Sequence, residues 1–193
     1  MPATTLILAS GSRYRRELLQ RLGVPFSVEV AAVDEGAQPE EPPNDLAHRL
    51  ATAKALAVAA RHPEALVIGS DQVAVCRGRI LGKPGDAARN IEQLQNASGS
   101  SVTFLTAVCL ARGGEPLDSH LDVTVARFRE LARAEIERYV ERERAFDCAG
   151  GFKAEGLGIA LFERIESQDP SALIGLPLIW LAAALRRAGI PVP

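Results

Sequence analysis

The chain has 193 residues, 47% of them hydrophobic and 24% charged, with a formal net charge of −2 and a pI near 6.0. This is ordinary globular composition, enough for one generous domain or two small lobes sharing a core, and it argues against a disordered chain. The slight acidity argues against a general nucleic-acid binder or a partner of anionic membranes, while leaving room for a local basic pocket.

Cys76, Cys109 and Cys148 are far apart and lack CxxC spacing, so they are expected to be buried thiols rather than a zinc knuckle or a disulfide framework. The opening MPATTLILASGS has no cationic stretch and too short an apolar run for a secretion signal. The longest apolar stretch, Leu176 to Leu185, is broken by Pro177 and is far short of a membrane span. A cytoplasmic protein is expected. Of the 22 basic residues only three are lysine, Lys54, Lys83 and Lys153. A chain that otherwise uses arginine invites the question of why these three are kept, because a compact ammonium and a planar guanidinium are not equivalent at a phosphate.

In chain order, Leu6 to Ala9 reads as a short buried strand that passes through Ser10-Gly11-Ser12 into a helix bearing Leu18, Leu19 and Leu22 and closed by Gly23. A second strand is expected over Ser27 to Ala32, a proline-rich loop over Gln38 to Pro43, and a long helix from Asn44 to Arg61. Leu66 to Gly69 is a buried strand ending in Ser70-Asp71-Gln72, with extended chain from Val73 to Cys76 and a hairpin at Gly78. A helix from Asp86 to Gln95, strands at Val102 to Ala111 and Asp118 to Phe128, and a helix from Arg133 to Glu143 come next. After the glycine-rich AGGFKAEGLG comes a strand from Ile159 to Ile165. Asp169-Pro170 is expected as an N-cap with proline at the first helical position, and the last helix runs from Pro177 to Arg187. Strands alternating with helices, with two long strands adjacent, indicate an α/β chain with a mixed sheet and flanking helices.

Several segments carry chemistry. Ser10, Ser12 and the arginines at 13, 15 and 16 gather hydroxyls, free helical N–H groups and guanidinium groups at a strand-to-helix junction, which is an anion site. The plainer alternative is Ser12 as an N-cap, yet arginines in a first helical turn oppose the macrodipole. Asp34 and Glu35 come just after a strand; Asp71 is read as lying at the end of LVIG, where a sheet fixes a carboxylate for a divalent cation or for activating water. Lys54 lies mid-helix among small apolar neighbours, and projects into a cleft or snorkels to solvent. Lys83 sits in Gly82-Lys83-Pro84, read as a tight turn, and Lys153 and Glu155 lie between glycines where backbone can approach a ligand. His48, His62 and His120 have no metal-ligand spacing, and there is neither a nucleophile elbow nor a Rossmann fingerprint.

Taken in order, LILASGSRYRRELLQRLG, AAVDE, the helix with Lys54, IGSDQV, GKP, CAGGFKAEGLGI and DPSALIGLPL resemble the Maf family of nucleotide pyrophosphatases over essentially the whole chain. The wording SDQV and FKAEG, in place of ADT and YGIQG, resembles the branch that hydrolyses 7-methyl-GTP. The alternatives are the sister branch acting on dTTP and UTP, a sugar-nucleotide hydrolase, or a nucleotide-responsive regulator of cell division with little turnover.

The resemblance implies a single domain over residues 1–193, an elongated α/β fold with two lobes around a deep cleft, shared with inosine triphosphatases. It implies a nucleoside triphosphate substrate cleaved between the α and β phosphates, no stable nucleic-acid or membrane partner, and a homodimer. Asp71 is then the catalytic carboxylate, and Glu35 joins it in binding a divalent cation, magnesium or manganese. Ser10, Ser12, Arg15, Lys54 and Lys83 hold the triphosphate, and Tyr14, Gln72 and Glu155 set base specificity. Two departures stand out: Arg13 replaces the family's usual proline, and Cys148 replaces a lysine of the sister branch, with Lys153 five residues later.

Overall fold

The computed structural model describes residues 5–193. The expectation that the N-terminus carries no leader falls partly on residues 1–4, outside the described residues. Among the described residues seven strands form one mixed sheet: β1 (Leu6–Leu8), β2 (Ser27–Val28), β3 (Leu66–Cys76), β4 (Arg79–Leu81), β5 (Ser101–Arg112), β6 (Glu115–Phe128) and β7 (Phe162–Glu166). Their order is β2-β1-β3-β5-β6-β7, with β4 paired to β3. β1 runs parallel to β2 and β3, whereas β3–β4 and β6–β7 are antiparallel. The described residues also form five α-helices: α1 (Arg13–Gln20), α2 (Pro43–Ala59), α3 (Ala87–Ala97), α4 (Arg133–Glu143) and α5 (Leu178–Arg187).

The chain divides into two compact units. Among the described residues, the first comprises 5–72, 106–122 and 169–193, and the second 73–105 and 123–168. The first is built on aliphatic packing. Leu6, Leu8, Leu66, Ile68, Val108 and Leu110 from the strands meet Leu18 and Leu19 of α1 and Leu181 and Leu185 of α5. Burying such side chains contributes roughly 1.5–3 kcal/mol each before chain entropy is set against it. The second unit is built on aromatic edges: Phe128 meets Phe152 and Phe162 at ring-centroid separations of 5.5 and 4.7 Å, and Phe104 meets Phe152 at 5.3 Å. No helix among the described residues is long and apolar enough to cross a membrane.

Several elements differ from expectation. Strand pairing in β2 stops at Val28 rather than Ala32. β3 does not end at Gly69 but runs to Cys76, because its second half pairs with β4 across the Gly78 turn. Asp71 therefore lies in mid-strand. The strand expected from Ile159 begins only at Phe162, since Leu157–Leu161 coil into a 3-10 turn. Asp169 does not start a helix at Pro170; only a 3-10 turn, Ala172–Ile174, succeeds it. Its carboxylate instead accepts the Ser171 N–H and hydroxyl on Oδ1, and the Ile179 N–H of α5, ten residues on, on Oδ2. Cys76 and Cys109 are buried, and desolvation pushes both thiols up; Cys148 is only partly buried.

Candidate active site

The junction between β1 and α1 engages the hydroxyl oxygens of both Ser10 and Ser12 in hydrogen bonds. Ser12 Oγ accepts the Arg15 N–H at 3.4 Å, so Ser12 is the N-cap of α1. Ser10 is buried, and its Oγ accepts the Ser12 N–H at 3.2 Å and Arg15 Nη1 at 3.4 Å. Arg15 Nε donates to the Gly175 carbonyl at 2.9 Å, which fixes the guanidinium across the start of α1. Desolvation pulls Arg15 below the usual arginine value, opposed by the charges of Asp71 and Glu35. A guanidinium has so far to fall that it stays protonated. The first turn of α1 holds no acid, so its free N–H groups and arginines together present positive potential.

Helix α2 reaches the sheet through the smallest possible contact. A Cβ on Gly69 would lie 2.2 Å from the Ala51 carbonyl oxygen and 2.5 Å from the Ala55 nitrogen, so only glycine lets α2 approach β3 this closely. Lys54, three residues after Ala51, shares that face and is buried along with Ala51, Ala55 and Val58. Its Nζ lies 2.7 Å from Asp71 Oδ1 and 2.6 Å from Glu35 Oε1. Helix, strand and loop thus meet at one ammonium, with Lys54 and Asp71 largely enclosed and Glu35 exposed. The loop after Glu35 is pinned to the same helix. Arg49 donates through Nε and Nη2 to the two oxygens of Glu41, and through Nη2 to the Gly36 carbonyl. The sequence offered no sign of this pin, because Glu41 reads as a solvated acid in a proline-rich loop.

Two of the residues expected to read the base are engaged elsewhere. Gln72 Nε2 donates to Thr106 Oγ1 at 2.9 Å and to the Ala172 and Leu173 carbonyls at 3.0 and 3.1 Å. Ser70 donates to the Gly175 carbonyl and Thr106 to that of Ala172. These side chains bind the turn at residues 172–175 to β3 and β5. Tyr14 carries the Arg13 guanidinium over its ring at 4.7 Å, and its hydroxyl accepts from Arg13 Nη2 at 2.6 Å. The arginine that replaces the family's proline already supplies a cation to that aromatic face.

The remaining candidates lie in the second unit. Lys83 is exposed. Gly82 has open space around it and no left-handed backbone, so the tight turn expected around Lys83 is absent, and the left-handed glycine is Gly85 at φ +77°. Glu155 is exposed. Lys153 is tied to the end of α4: its Nζ lies 3.3 Å from Glu143 Oε1 and donates to the Glu143 carbonyl at 3.1 Å. Glu143 Oε2 accepts the Leu157 N–H at 2.8 Å, and Tyr139 Oη accepts the Lys153 N–H at 3.1 Å. Burial pushes the Tyr139 phenol up, beyond the ordinary tyrosine range.

Carboxylate oxygens from Glu35 and Asp71 are hard donors of the kind that magnesium and manganese take. No group of three or more His, Cys, Asp or Glu side chains among the described residues forms a ready metal cage. Two carboxylates fit a cation that completes its shell with water and substrate phosphate, which is how magnesium is usually held.

The family described as Maf-like protein matches residues 5–188. A protein named 7-methyl-GTP pyrophosphatase from Xanthomonas axonopodis pv. citri is 55% identical over 188 residues, covering 97% of this chain and 98% of its own. Proteins of the same name from Ralstonia nicotianae (53%, covering 97% of each chain) and Aromatoleum aromaticum (51%, covering 100% of each) are similarly close. In fold, the chain resembles the solved structure of a HAM1 protein from Coxiella burnetii, with a TM-score of 0.56 at 15% identity, covering 96% of this chain and 100% of that one.

Proposed function

The chain belongs to the Maf family, and from that premise we propose that it is a nucleoside triphosphate pyrophosphatase preferring 7-methyl-GTP. The observation that carries the reading is the junction of Glu35, Lys54 and Asp71, electrostatically coupled to Arg15. Hydrolysis of an α–β phosphoanhydride needs a base for the attacking water and cations against the charge of the leaving pyrophosphate. In the proposed reaction a water oxygen bonds to the α-phosphorus while its proton passes to the Asp71 carboxylate. The bond from that phosphorus to the bridging oxygen breaks, and pyrophosphate leaves with its electrons. Arg15 and Lys54, with Ser10 and Ser12 beside them, hold phosphate oxygens. Lys83 belongs to the same proposal as an exposed, unconstrained cation suited to a mobile polyphosphate. A divalent cation held by Glu35 and Asp71 supplies Lewis acidity and neutralises phosphate charge.

Residues 1–193 acting as one functional domain, a cytoplasmic setting and a homodimer complete the proposal, supported by the family resemblance. The preference for 7-methyl-GTP is supported by the relatives' shared name, and by Glu155 and Gln72 in the branch's characteristic wording. Cation–π attraction on Tyr14 contributes less than an open ring would allow, because Arg13 repels a second cation there. The test is kcat/KM for 7-methyl-GTP, GTP, dTTP and UTP with pyrophosphate as the readout. The expected order puts 7-methyl-GTP first, and dTTP or UTP in that place overturns the branch assignment. In Arg13→Ala the ratio of 7-methyl-GTP to GTP should rise by about two- to fivefold, the size of an exposed cation–π contact.

A further inference from the structure

We infer that Lys54 is the resident counter-cation of Glu35 and Asp71, giving up both carboxylates only when a divalent cation and a polyphosphate arrive together. The inference rests on the metal role proposed for those carboxylates and says how that site is kept before substrate comes. Two features separate this lysine from an ordinary structural ion pair. Asp71 accepts from Lys54 at Oδ1 and shows no other hydrogen bond among the described residues. The structural carboxylate Asp169, by contrast, accepts from Ser171 twice and from Ile179. The second partner, Glu35, has a side chain 61% exposed on an irregular segment, so burial does not hold it there. Its contact with the Lys54 ammonium, at 2.6 Å, is therefore one that an arriving ligand can reach.

Charge balance sets the order of exchange. Lys54 and Arg15 against Glu35 and Asp71 make two positive and two negative groups, and Arg15 feels both carboxylates. A divalent cation arriving alone must take both carboxylates from Lys54, leaving an enclosed ammonium unpaired, which is costly. When polyphosphate comes with it, Lys54 exchanges carboxylate oxygens for phosphate oxygens and keeps charge-assisted hydrogen bonds throughout. Metal and nucleotide are therefore coupled through one side chain, and the coupling is reciprocal.

The experiment is a titration of the full chain with manganese alone, free ion monitored by electron paramagnetic resonance, with no nucleotide and no turnover. The unmutated protein and Lys54→Arg, which keeps the charge, should bind manganese weakly. Lys54→Met should bind it about tenfold more tightly or better, within the usual range of site-to-site coupling. Lys54→Gln, whose amide can still donate to a carboxylate and so protects the fold, should do the same, with circular dichroism melting as the check on folding. Equal manganese affinity in the unmutated protein and in a folded neutral variant overturns the inference. Asp71→Asn and Glu35→Gln separate the two levels. If they abolish manganese binding while the neutral Lys54 variants bind like the unmutated protein, only the counter-cation role falls. If they leave manganese binding unchanged, the metal role of the carboxylates falls as well.

Discussion

Lys54 and Lys153 are both lysines in a carboxylate's company, with side chains exposed by only 9% and 13%. Lys153 joins an acid on the helix just before it, and both oxygens of Glu143 are spent, one on the ammonium and one on the Leu157 N–H. Lys54 joins a loop acid and a mid-strand acid, Asp71, whose second oxygen accepts no hydrogen bond among the described residues. Burial and ion pairing are thus shared by a staple and a candidate site. What separates them is whether the carboxylate has oxygen left for a ligand.

Asp71→Asn tests this contrast most severely. It keeps the shape of the side chain and removes the base, so turnover should fall by roughly 10²-fold or more, the loss expected for a general base alone. Pyrophosphate release within tenfold of the unmutated rate overturns the role given to Asp71. Gly69→Ala should act through geometry rather than chemistry. With its new methyl 2.2 Å from a backbone oxygen of α2, the helix must shift, at a cost of about 1–3 kcal/mol. Urea unfolding reads the cost, and a parallel drop in turnover reports Lys54 moving off Asp71.

Lys153→Met sets the other side of the comparison. Breaking a partly enclosed pair should lower the melting temperature by about 2–4 °C, the shift that about 1 kcal/mol produces in a chain this long. Turnover at saturating substrate should stay within about threefold, far short of the loss expected for a missing reacting group. A hundredfold loss of kcat would instead place Lys153 among the reacting groups. The smallest effect concerns acid. Arg49 hydrogen bonds hold the Glu41 carboxyl down to about 2 from its ordinary 4.5. A depressed folded-state value means that the stabilisation is present above pH 4.5 and is lost as pH falls toward 2. Glu41→Gln should therefore lower stability near neutrality and flatten the acid arm of the curve, the two proteins converging as pH falls toward 2.

Much of this was legible in the sequence, for physical reasons. Ser12 caps α1 because a short hydroxyl before an apolar period has few other uses, and α4 spans Arg133–Glu143 as its periodicity requires. The ordered motifs pointed to the Maf family. Asp71 was misplaced at a strand end because pairing with β4 is a non-local contact that no run of apolar residues announces. The tasks of Gln72, Ser70 and Thr106 were hidden for the same reason, since their acceptors lie from 34 to 105 residues away in sequence. Arg49 and Glu41 look like surface charges until the loop is folded back on α2.

The turn at residues 172–175, gripped by Arg15, Ser70, Gln72 and Thr106, also bears on timing during synthesis. Arg15 and Ser70 leave the ribosome early, while the Gly175 carbonyl that accepts from both comes 160 and 105 residues later. At about 5–20 residues per second, a nascent chain carries Arg15 and Ser70 for roughly 5–30 s before Gly175 exists to brace them. The brace on Arg15 and Ser70 can close only once nearly the whole chain has been made.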